Sequence, residues 1–138
     1  FYLVVLHYLL EARAIQLSGR WISEREIPGG ELFFRGIHRL PIESLTALFG
    51  HRASVFKTVA AKMGCMPAKM GDFAFQFPVL PRIPVVLALW QADDEFEPVM
   101  LIRFDSTISS QLQNPDTIWA MANVFSEGLQ VCAKGLKE

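Results

Sequence analysis

An aromatic ring, a guanidinium and bare backbone amides are the parts of an anion or carboxylate pocket, and residues 18–30 carry all three. Trp21 supplies the ring, Arg25 beside Glu26 the charges, and Gly29-Gly30 after Pro28 the amides. The spacing matches neither GxGxxG nor a Walker loop, so phosphate is not singled out, and a tight turn held by a half-buried Trp accounts for the same residues. A second set, Trp90 with Asp94, Glu95 and Phe96, follows the most apolar run of the chain. Joined in one concavity, the two sets would cover an apolar ligand body with aromatics and fix its polar groups through Arg25, Glu26 and Asp94. That shared pocket requires both indoles to be buried with their N–H groups paired. An enzyme using Glu26, Asp94 or Glu95 as base is the rival, but a base needs a shifted pKa, and nothing in the sequence shows the burial that would supply it.

Other reactive residues read more simply. His7 and Glu11 stand four apart on one helical face, as a structural pair or as half of a metal site that lacks its remaining ligands. Met63, Cys65, Met66 and Met70 cluster sulfur without a second cysteine or a histidine, which suits gap-filling better than a soft metal. Asp93, Asp94, Glu95 and Glu97 lack the calcium-loop spacing and fit a solvated hairpin tip. Ser106, Ser109 and Ser110 are not in a nucleophile elbow and read as turn residues. No metal site is expected, and no cofactor can be named.

The elements that position these residues follow from periodicity. Phe1–Leu17 is apolar around most of a helical circumference, which predicts a central helix covered on several sides. Two short extended pieces, Trp21-Ile22 and residues 31–34, are expected around the Pro28-Gly29-Gly30 turn. Two amphipathic helices should follow, one from Pro41 to Gly50 and one ending at Gly64. The aromatics of residues 73–77 favour a strand, but Pro78, Pro81 and Pro84 argue against a continuous central strand before residue 85. Residues 85–90 and 99–104 should then pair as an antiparallel hairpin across the acidic loop. Asn114-Pro115-Asp116 has the cap, proline and early acid of a helix start. The stripe Ile118, Met121, Ala122, Phe125, Leu129 and Cys132 carries that terminal helix onto the sheet. The order predicts an α+β fold: a small, mostly antiparallel sheet with flanking helices and a long C-terminal helix.

The 138 residues suit one domain, and a hydrophobic fraction of 51% supports a core. Thirteen Lys and Arg against fourteen Asp and Glu leave a net charge of -1, without the basic footprint of nucleic-acid binding. The first ten residues are apolar but too few to span a bilayer. Cys65 and Cys132 show neither disulfide nor zinc spacing, which fits a reducing, cytoplasmic setting with both thiols free and Cys132 facing the core. A strongly helical run that opens at Phe1 without a capping residue predicts a preceding segment in the full-length protein.

Residues 6–12, 18–34, 71–98 and 102–109 together resemble an uncharacterised family, number 3786 of the domains of unknown function. The residues carrying the resemblance are Trp21, Arg25, Glu26, Pro28, Gly29 and Gly30, with Leu80, Pro81, Pro84, Trp90, Asp94, Glu95, Phe96, Phe104 and Asp105. It implies a cytoplasmic protein of anaerobic bacteria or archaea, with a further N-terminal segment and, in some members, a fused cysteine-rich iron-sulfur module. The family carries no activity over to named residues. The expectation is therefore a noncatalytic or accessory module binding a small molecule or a cofactor protein. The enzyme reading is one alternative; a structural interaction domain for an iron-sulfur or corrinoid protein, suggested by the resemblance alone, is the other. Oligomeric state is left open.

Overall fold

The structure, a computed structural model, describes residues 1–136. It is α+β, built on a five-stranded antiparallel sheet in the order β1-β5-β4-β3-β2. The strands are β1 (Trp21–Ile22), β2 (Met66–Pro67), β3 (Phe73–Leu80), β4 (Ile83–Trp90) and β5 (Val99–Asp105). Phe77, Val85, Leu87, Leu89, Met100, Ile102 and Phe104 bury one face of this sheet completely or nearly so. Helices α3 (Ile42–Phe49), α4 (Ala53–Lys62) and the long α6 (Pro115–Lys134) contribute to the same core through residues such as Leu45, Phe49, Phe56, Ile118 and Leu129. Short helices α2 (Gly30–Phe33) and α5 (Ile108–Gln111) complete the layer, with α1 (Tyr2–Glu11) against α5 and α6.

Helix α6 begins as its sequence predicts: the Asn114 side chain accepts from Asp116 N–H at 2.9 Å, with Pro115 in the first turn. The expected hairpin also forms, Trp90 opposite Val99 and Val85 opposite Phe104. The prolines behave differently from expectation. Strand β3 runs through Pro78, which faces Pro84 of β4, and only the two residues 81–82 separate the strands. The two prolines meet where the flanking ladders have ended, since β2 pairs only as far as Gln76 and β5 only from Val85. No outer neighbour asks for the missing N–H, so a paired proline costs little there.

Two further expectations are corrected. Residues 31–34 are mostly helical, because Gly29 turns the chain at φ 75° and Phe33 and Phe34 N–H then close helical bonds to Gly29 and Gly30. The N-terminal helix stops at Glu11 and lies at the edge of the layer, burying only Val4 and Tyr8. A buried glutamine ends it: Gln111 accepts from Arg13 N–H at 2.9 Å and donates to Arg13 C=O at 3.0 Å, holding that residue by both backbone groups. Those groups are thereby withdrawn from any helical ladder. No described helix is long and apolar enough to cross a membrane.

Candidate functional site

Directly opposed residues in an antiparallel pair project from the same face, so Trp21 opposite Asp105 and Trp90 opposite Val99 both leave the sheet face turned away from the helices. Val99 and Asp105 are the two ends of β5, about 20 Å apart at the usual strand rise. The two indoles share this sheet face, with their backbone positions beside opposite ends of β5. Trp21 rests half-buried on a small outer cluster of Ala74, Val86 and Ala88. Trp90 is 37% exposed and sits against Gly71, where an added Cβ would meet the indole at 3.1 Å. Neither indole N–H has a protein acceptor among the described residues; the paired indole is that of Trp119, which donates to Arg39 C=O at 3.2 Å.

Of the four polar side chains assigned to the pocket, Arg25, Glu26, Asp94 and Glu95, Glu26 is the one with a hydrogen bond that holds the chain in place among the described residues. Glu26 accepts from Ser23 N–H at 2.8 Å, closing a capping box on the short 3-10 turn Glu24–Glu26. That backbone donor, above all, keeps its carboxyl below the usual glutamate range. A carboxylate held ionised in this way is a poorer base than a free one. Gly30 is required sterically, since a Cβ would collide with the Glu24 carbonyl, and Gly29 supplies the positive φ. In the loop after β4, Asp93 accepts from Glu95 and Phe96 N–H at 2.8 and 2.7 Å, while Asp94, Glu95 and Phe96 are exposed. Arg25 lines a groove of about 660 Å³ with Arg35 and Arg39, whose guanidinia lie 3.5 and 3.7 Å from Glu31 and Glu43. Those pairs are solvent-exposed and balance the groove's charge.

The carboxylate that organises this region is Asp105, 3% exposed. It accepts from Ser18 N–H and Oγ, Gly19 N–H, and Thr107 N–H and Oγ1, at 2.7 to 3.2 Å. Burial works against its charge, but the hydrogen bonds from Thr107, Ser18 and Gly19 outweigh that penalty and hold the carboxyl below the ordinary aspartate range. Its function here is to join the loop before β1 to the turn after β5. Asp followed by Ser106-Thr107 is a recognisable side-chain turn signal; the partnership with Ser18 has no local signature.

His7 and Glu11 form the structural pair that their spacing suggested, Nδ1 to Oε1 2.9 Å. Glu11 also accepts from Gln113 N–H at 2.8 Å, and this bond, before that of His7, lowers its pKa. The two cysteines are free, as expected, and burial pushes the Cys65 thiol up to about 11. Cys132 is exposed and not in the core, because the buried stripe of α6 continues from Leu129 to Ala133, four residues on.

A feature that no sequence motif announced is an apolar cleft of about 230 Å³ between the first turn of α1, the end of β3 and α6. Val4, Leu80, Met121 and Leu129 contribute to its walls, with Met63 and Phe125 beside them, and the most polar side chain in the lining is the Cys132 thiol. Gly128 lies in the interior of α6 at this cleft, and a Cβ added there meets nothing within 4 Å. Glycine inside a helix costs about 1 kcal/mol relative to alanine, and here no close backbone approach requires it. Gly128 is exposed, and a side chain added there would stand in open space at the cleft.

A family model described as "Domain of unknown function (DUF3786)" matches residues 1–127. No curated protein and no solved structure matches the chain.

Proposed function

The chain belongs to the DUF3786 family, and from its apolar cleft we propose that it is a noncatalytic binding module for a small apolar molecule. The observation that carries this reading is the cleft itself, carbon-lined and with Gly128 of α6 in its lining. A dry cavity of about 150 Å³ can hold benzene, so about 230 Å³ suits an alkyl or aromatic body of roughly eight to ten heavy atoms. One carboxylate supports the noncatalytic side. Glu26, one of the three candidate bases, is tied into its capping box and its pKa is lowered by the Ser23 donor, which suits a structural role better than that of a general base.

Methionine-methyl NMR tests the proposal with 1-octanol as probe. The methyls of Met63 and Met121, which line the cleft, should shift saturably, while those of Met66, Met70 and Met100 stay in place. Gly128→Leu should fill the space and abolish the response with the helical signal intact. Unmoved Met63 and Met121 resonances, or full binding by the leucine variant, would sink the reading.

A further inference from the structure

We infer that α1 pairs with α1 of a second copy of this chain across a two-fold axis. Val4 and Tyr8 are the buried residues of this helix, yet its outer side presents Tyr2, Leu3, Leu6, Leu9 and Leu10 at 86, 62, 53, 73 and 76% exposure. Positions 2/3, 6 and 9/10 recur at the three-to-four spacing of a helix-pairing seam.

Two observations select a second copy as the occupant. The five residues expose on the order of 750 Å², so a contact that covers most of this surface approaches the roughly 800 Å² per partner of a standard stable interface. Charge is the second. The ionisable side chains of α1 besides Tyr2 and Tyr8 are His7 and Glu11, which pair with each other, and Glu11 is held further by Gln113. The stripe is therefore uncharged, so an isologous contact, in which the patch meets itself, brings no like charges together. Helices that lie on lipid surfaces carry Lys or Arg on the polar face, and α1 has neither. Leu6 is the midpoint of the stripe, so an antiparallel pair places it against its own counterpart and sets Tyr2 toward Leu10 of the other copy.

Sedimentation velocity on the 138-residue chain decides the matter, with Leu6→Glu as the variant. At about 100 µM, well above the dissociation constant of even a micromolar dimer, the chain should sediment at twice its mass and Leu6→Glu at the mass of one chain. Circular dichroism should be the same for both, because Leu6 is 53% exposed within the single chain. A Leu6→Cys variant should oxidise to a covalent dimer under conditions in which the parent, with its own Cys65 and Cys132, does not. A monomeric parent overturns the pairing, whether the face is then covered by another protein, a lipid or a further segment of a longer chain. A dimer that survives Leu6→Glu overturns it equally. Gly128→Leu does not touch this face, so failure of the cleft proposal and failure of the pairing are separately visible.

Discussion

The loop before β1 and the outer face of α1 are opposites. Residues 18–30 hold the polar side chains and glycines that look like a binding site, and most of them are spent on architecture: Ser18 and Gly19 on Asp105, Glu26 on its cap, Gly30 on its close approach to Glu24. Residues 1–10 look like core, and five of them face outward from α1 at 53% exposure or more. What differs is the partner. A polar side chain finds its donors within the domain, whereas an apolar stripe with no second apolar surface opposite it is left for something else to cover.

Mutation should separate the regions sharply. Asp105→Ala orphans the Ser18, Gly19 and Thr107 donors and should cost about 3–4 kcal/mol by chemical denaturation. Its pH signature adds a sign. The folded pKa lies below the unfolded value near 3.9, so this stabilisation is complete above that value and is lost as pH falls through the folded pKa. The wild type should therefore lose its advantage over Asp105→Asn on acidification below about pH 4; a constant difference down to the acid transition would refute the assignment. Gly30→Ala pushes a methyl against the Glu24 carbonyl and should cost about 1–3 kcal/mol, with Gly29→Ala acting instead through its positive φ.

Smaller effects are expected on the apolar side. Gly128→Ala should stabilise by about 0.5–1 kcal/mol, since the methyl enters open space and the unfolded chain loses freedom. A destabilised alanine variant would mean that the helix needs that glycine and that the cleft does not explain it. Leu10→Gln should change the stability of the single chain by no more than about 0.5 kcal/mol, its side chain being 76% exposed. A loss of 2 kcal/mol or more, typical of buried leucine, would erase the contrast between the two regions.

Local signals were legible wherever an element carries its own punctuation. The Asn114-Pro115-Asp116 cap, Gly50 after α3, and the alternation from apolar strand to acidic loop to apolar strand all fall where the sequence puts them. Readings that needed a distant partner failed. Nothing near Arg13 announces that Gln111 will take both of its backbone groups, so the helix looked seventeen residues long and has ten. Nothing local to Trp21 or Trp90 gives their separation; the register of β5 places them on its two neighbouring strands, beside its opposite ends. The cleft has no motif at all; a glycine in the middle of α6 was its one trace in the sequence.

The Gln111 bracket also bears on the order in which the chain acquires its fold. It joins Arg13 to a residue 98 positions later, Glu11 meets Gln113 at a separation of 102, and β1 pairs only with β5. At a ribosomal rate of roughly 5–20 residues per second, α1 emerges about 5–20 s before the residues that fasten it have been made. Such non-local closure is slow relative to local helix formation. During that interval the leucines of α1 are presented together with the side of the helix later buried by Val4 and Tyr8. The nascent chain then carries this apolar helix unfastened, and a holding chaperone would find a site in it before the sheet exists.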